Sequence, residues 1–157
     1  MSNERAEILH TDFPNTAAAR ITINAPAGKI FDLLANPASH RLFDGSGTIQ
    51  GSISGPERLF LGAKFGMAMK IKVPYRIKNT VVAFEENKKI TWCHFMKWTW
   101  CYELSEQGDG QTVVTESFDA SSIPAFATWW LKKTGAMAHN PKWMAKSLVR
   151  LKAICEG

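Results

Sequence analysis

No apolar run in the chain approaches the about 20 residues that a bilayer-crossing helix needs, and the mean hydropathy is slightly negative. Cysteine is scarce. Cys93, Cys101 and Cys155 are an odd three, which argues against a disulfide framework and for reduced thiols. The first twenty residues hold Glu4, Arg5, Glu7 and Asp12 and no apolar block, unlike a secretory leader or transit peptide, so a cytoplasmic protein without integral membrane association is expected. Metal-binding spacings are missing too. His10, His40, His94 and His139 are dispersed, neither Cys-x-x-Cys nor His-Glu-x-x-His occurs, and alternation puts His94 on one sheet face with Cys93 and Cys101 on the other. No metal or other cofactor is expected. Gly45-Ser46-Gly47 lacks the Lys-Ser/Thr of a phosphate loop and leads into a strand where a helix is required. Gly-x-Ser-x-Gly, the signature of a nucleophile elbow, does not occur. With no repeat, linker or low-complexity run, the 157 residues read as one domain, residues 1–16 being a loosely ordered N-terminal extension.

Charge is uneven. Residues 1–60 carry five basic and six acidic side chains, residues 61–157 fourteen and eight. In residues 121–157, Lys132, Lys133, Lys142, Lys146, Arg150 and Lys152 face only Glu156. Such a face can attract an anionic partner, but these cations alternate with apolar residues at helical spacing, as on a solvated helix. Lysines interleaved with exposed aromatics, as on a nucleic-acid surface, are not found, and no nucleic-acid partner is expected.

The pattern along the chain alternates between two periods. Arg20-Ile21-Thr22-Ile23-Asn24 reads as a half-buried strand. Pro26 suits a first helical position, with Ile30, Leu33 and Leu34 as an apolar stripe, and Asn36-Pro37 ends that helix and opens a second, short one to about Phe43. Asp44 to Gly47 form a turn. Strands are then expected over 64–72, with Phe65, Met67, Met69 and Ile71 on the dry face, and over 76–84, with Ile77, Asn79, Val81 and Ala83 together. A hairpin follows, its arms 90–95 and 98–104. Centred on Lys97, it sets His94 opposite Trp100, Trp92 opposite Tyr102 and Ile90 opposite Leu104 on a nearly all-aromatic face, and Cys93 opposite Cys101 on the other. A last strand covers 111–119. The tail is helical in two parts: 124–137, weakened by Gly135, and a second opened by the Asn140-Pro141 cap, with Met144, Leu148, Leu151 and Cys155 as its apolar stripe.

This order of strand, two short helices, six strands and long C-terminal helix resembles the helix-grip fold of the START and birch-pollen-allergen (SRPBCC) superfamily. Ile23-Asn24-Ala25-Pro26, Ile30 to Leu34, Asn36-Pro37, Phe43 to Gly47, Ile90-Thr91-Trp92, Thr112 to Glu116 and Asn140 to Leu151 are similar to its bacterial polyketide cyclase/dehydrase and lipid-transport branch. The resemblance spans roughly residues 17–155. It implies an α+β fold: a curved antiparallel sheet of six to seven strands wrapped around the C-terminal helix, with an apolar cavity between them.

Met67, Met69, Trp92, Trp100 and Tyr102 are then candidate ligand-binding residues, with Trp129 or Trp130 near the mouth; aromatics and adaptable methionines suit a hydrophobic ligand, but they equally suit a filled core. His94, among tryptophans, is a candidate acid/base, or a core histidine bonded to Tyr102 or to backbone. Glu116 shares parity with Val114 and Phe118; inward, it becomes a candidate general base, unless the strand turns Val113, Thr115 and Ser117 inward instead. His40 and Asp44 fall near the cavity mouth, where capping and turn roles suit them better than catalysis. Three functions stay open: a carrier of a hydrophobic small molecule, lipid or polyketide-like; a cyclase or dehydratase using His94 and Glu116; and an interaction module with a filled core and an exposed apolar patch. Monomer and homodimer are both compatible with the pattern.

Overall fold

The computed structural model describes residues 5–12, 15–47, 49–71 and 73–157. Its elements are β1 (Glu7–Leu9), β2 (Thr16–Ile23), α1 (Ala27–Leu34), a 3-10 turn (Pro37–Ser39), α2 (His40–Phe43), β3 (Ile49–Ser54), β4 (Lys64–Ile71), β5 (Val73–Glu85), β6 (Lys89–His94), β7 (Thr99–Glu106), β8 (Thr112–Asp119), α3 (Ala125–Lys133) and α4 (Ala136–Glu156). Among the described residues the strands form one eight-stranded antiparallel sheet in the order β1-β2-β8-β7-β6-β5-β4-β3. The sheet curls around the C-terminal helix, as in a helix grip. It has one strand more than the sequence pattern yields, because Glu7–Leu9 pairs with Arg20–Ala18 of β2. The other residues of the expected extension include 1–4, 13 and 14, which lie outside the described residues, as do Lys72 and the side chain of Ile71.

The local signals explain the helices. Pro26 caps α1 rather than entering it, its carbonyl accepting from Lys29 and Ile30 N–H at 3.2 and 3.4 Å, while Glu106 of β7 accepts the freed Ala27 N–H at 3.0 Å. Asn36 caps the 3-10 turn through its side chain, which accepts from Ala38 N–H at 3.1 Å. The tail divides earlier than Asn140-Pro141 suggests. Gly135, at φ 75°, ends α3 in the left-handed region, and α4 runs unbroken from Ala136, enclosing Pro141. Met144, Leu148, Leu151 and Cys155 are its buried stripe, with Asn140 one turn earlier.

Two strand details shape the concave face. β5 has a bulge between Val81 and Ala83, so the inward set passes from Ile77, Asn79 and Val81 to Phe84, which meets Phe31 of α1 edge-on. The β6–β7 hairpin centres on Met96, not Lys97. His94 N–H bonds to Trp98 O and Lys97 N–H to His94 O, each at 2.8 Å, with Lys97 at φ 80° completing a three-residue loop. The pairs are therefore Trp92 with Trp100, Ile90 with Tyr102 and Thr91 with Cys101. The shift is two residues, an even number, so every side chain keeps its expected face.

Candidate functional site

Between the sheet and α4 lies a cavity of about 420 Å³, within the usual size of small-molecule sites. Period-2 alternation delivers its walls. Met67 and Met69 come from β4, Trp92 and His94 from β6, Trp100 and Tyr102 from β7, and Glu116 and Phe118 from β8. Of the residues singled out from sequence, all of these border the cavity. Trp129 does not: it is 59% exposed on α3, its ring covered by Lys133 Nζ at 4.6 Å. Trp130, one residue on, is the α3 tryptophan on the cavity wall. The 3.6-residue period decides this, because the buried Ala127 and Leu131 turn Trp129 farther from the cavity side than Trp130.

Glu116 faces inward. Thr112, Val114, Glu116 and Phe118 are all buried, whereas Val113, Thr115 and Ser117 are only partly so. Tyr102 stands opposite it in the β7–β8 register. Burial pushes the Glu116 carboxyl up to about 8, Tyr102 pulling it down and Asp44 adding a smaller upward push. The Glu116 carboxyl oxygen Oε2 has no protein partner.

His94 is stacked on Trp98 with ring centroids 3.9 Å apart, and its Nδ1 accepts from Met96 N–H at 3.1 Å. The bond to backbone fixes the neutral tautomer with hydrogen on Nε2, and burial lowers the pKa to about 4. His40 is also buried. Its Nε2–H donates to Leu34 O at 2.8 Å, its ring stacks on Trp92 at 5.0 Å, and burial lowers its pKa to about 4. Both imidazoles are neutral at pH 7, and among the described residues no hydrogen bond joins His94 to Glu116.

At the cavity rim Asp44 makes the expected turn: Ser46 Oγ donates to its two carboxylate oxygens at 2.8 and 2.7 Å, and Ile49 N–H to one of them at 3.3 Å. This turn lies hard against α4, Gly45 N–H donating to Ser147 Oγ at 2.7 Å and Arg150 to Asp44 O. The basic tail is thus partly spent on structure. Lys152 is buried too, donating to Thr22 O at 2.9 Å and to Glu156 at 2.8 Å.

Sequence reasoning passed over two cavity amides. Asn79 of β5 lies on an otherwise apolar face, and Asn140, read as a cap, lies four residues before Met144 on the buried stripe of α4. Both are buried and border the cavity. Their signal was present: a polar residue at an apolar position of the period. Among the described residues no group of three or more His, Cys, Asp or Glu is gathered as a metal site, and no helix is long and apolar enough to cross a membrane.

No family model matches the chain. It is 33% identical over 141 residues to Rv0088, an uncharacterised protein of Mycobacterium tuberculosis, the match covering 88% of this chain and 63% of that protein's length. Solved structures share the fold. Ms6760 of Mycobacterium smegmatis superposes with TM-score 0.71 at 16% identity, covering 96% of each chain. The polyketide-cyclase-like protein Cgl2372 of Corynebacterium glutamicum gives 0.63 at 18% identity over 93% of this chain and 94% of that one. Major latex-like protein 151 of Panax ginseng gives 0.59 at 14% identity over 90% and 97%.

Proposed function

We propose, from the helix-grip fold of the START and birch-pollen-allergen (SRPBCC) superfamily that this chain has, that it binds a hydrophobic small molecule, lipidic or polyketide-like, between sheet and α4. The observation that carries the reading is the cavity of about 420 Å³ walled by aromatic and methionine side chains. Apolar walls release ordered water when an apolar body enters, at roughly 25 cal/mol per Å² of surface removed from solvent. Methionines adjust to its outline. A core closed on itself, as an interaction module needs, leaves no such space. The resemblance to a polyketide-cyclase-like structure and to a major latex-like one supports the same reading.

Glu116 favours a second reading, an acid–base enzyme of the cyclase or dehydratase type. A carboxyl raised to about 8 is close to the working pH, where a general acid or base is most effective. His94, held near 4, is a weak base there and no acid, so in this reading Glu116 acts and His94 positions.

One experiment addresses both. The purified protein is weighed by native mass spectrometry before and after denaturing extraction, and again after incubation with fatty alcohols and flat aromatic polyketides. A stoichiometric adduct of unchanged mass is the expected result for a carrier; recovery of a dehydrated or rearranged compound selects the enzyme. Repeated absence of any adduct overturns both.

A further inference from the structure

The cavity wall holds polar atoms that the chain itself leaves without partners. Asn79 Oδ1, Glu116 Oε2 and Asn140 Nδ2 are each buried with no protein hydrogen-bond partner, and all three residues border the one cavity. They come from β5, β8 and α4, so sheet and helix both contribute. Folded chains pair nearly all such atoms, because an unpaired one costs about 1–3 kcal/mol. Three around one apolar space mark where a ligand's own polar groups bond.

Charge narrows the class. The acids on this wall are Asp44 and Glu116, the imidazoles are His40 and His94, the phenols are Tyr75 and Tyr102, and among the described residues no Lys or Arg lines it. Arg150, near the rim, is directed to the Asp44 carbonyl. Asp44's carboxylate is occupied by the Ser46 hydroxyl and the Ile49 amide. A carboxylate or phosphate head drawn into this space loses its water and meets no cation, which is the costly case of a buried unpaired charge. A hydroxyl or carbonyl loses far less and finds bonds: the Asn79 and Asn140 amides each offer donor and acceptor, and a protonated Glu116 donates. Glu116 Oε2 is the carboxyl oxygen left open to the ligand.

We propose that the cavity selects ligands by charge: it takes an apolar body bearing uncharged hydroxyl or carbonyl groups, bonded by Glu116, Asn79 and Asn140, and rejects the matching carboxylate. This rests on the reading that the cavity binds a hydrophobic molecule, and it separates neutral lipids and polyketide-like compounds from free fatty acids within that reading.

The test uses three probes with one ring system, 9-anthracenemethanol, 9-anthracenecarboxylate and 9-methylanthracene, titrated into the intact protein at pH 7 and followed by tryptophan fluorescence. The alcohol is expected to bind at least tenfold more tightly than the carboxylate and more tightly than the methyl compound. Carboxylate affinity equal to or above that of the alcohol overturns the charge selection. A methyl compound that binds as well as the alcohol overturns the role of the three polar side chains. If neither the alcohol nor the methyl compound binds, the hydrophobic-ligand reading falls and this inference falls with it. Glu116→Leu, which removes the bonding carboxyl, is expected to narrow the alcohol-to-methyl affinity ratio at least fivefold; an unchanged ratio removes Glu116 from the assignment. The wild-type comparison stands alone if that variant does not fold.

Discussion

Asn140 shows at the scale of one residue how a binding site and a stable core conflict. Its amide occupies the position on α4 that packing alone assigns to an aliphatic side chain, one turn before Met144, and its Nδ2 is buried without a protein partner. Asn140→Leu replaces an unpaired polar group with an apolar one of similar size. The free protein is therefore expected to gain roughly 1–2 kcal/mol of stability, read as a higher denaturation midpoint in urea. The same variant is expected to bind 9-anthracenemethanol less tightly. A loss of stability on this substitution contradicts the assignment of an unpaired amide. The sequence contained this residue's signal, an amide at an apolar place, but Asn before Pro is also a favourable helix start, and the local reading prevailed.

Between elements, the Asp44–Gly47 turn lies hard against α4. A Cβ at Gly45 would lie 2.4 Å from Trp143 O and 2.7 Å from Ser147 N. Both are backbone atoms of a regular helix and cannot rotate away. Gly45→Ala is expected to destabilise by about 2–3 kcal/mol through overpacking, lowering the melting temperature by several degrees; a melting temperature within 1 °C of wild type, a margin of about 0.3 kcal/mol, would show that turn and helix are not locked. Gly45 lies in the Phe43-to-Gly47 motif, so its place was legible but its reason was not. A turn accounts for a glycine locally, and only the packing of α2 and α4 shows that here the missing side chain admits another helix. The hairpin is similar: alternation gave its faces, whereas Lys97 in the left-handed region set a register two residues away from the one centred on Lys97.

Across the whole molecule, the buried titratable groups set the dependence of stability on pH. His40 and His94 have folded pKa values lowered from 6.5 to about 4. Their contribution is present above 6.5 and is lost as pH falls through about 4. Glu116 is the opposite case, raised from 4.5 to about 8; its contribution is present below 4.5 and is lost as pH rises through about 8. The two imidazoles outweigh the single carboxyl up to about 6.5, and above it only Glu116 still titrates. Melting temperature is therefore expected to rise from pH 4 to about 6.5 and to fall from there to about 8. In Glu116→Gln the upper fall disappears. A wild-type melting temperature that is flat or rising from pH 6.5 to 8 contradicts the burial of an uncharged Glu116.

The division between what was legible early and what was not follows from the range of the forces involved. Strand and helix periods, caps and turns depend on neighbours within about four residues, so the sequence by itself determined the element order from β2 onward, the aromatic face of the hairpin and the apolar stripe of α4. The orientation of β8 depends on its two neighbours in the sheet, β7 just before it and β2 far from it along the chain. Parity allowed Glu116 or its alternates to face inward; pairing with Tyr102 and closure by α4 chose Glu116. The cavity itself belongs to the tertiary structure alone, because it is the space left between a curled sheet and a helix, and unfilled volume has no local signal. Its polar atoms lack partners for the same reason: whether a buried amide or carboxyl is paired depends on every element around it.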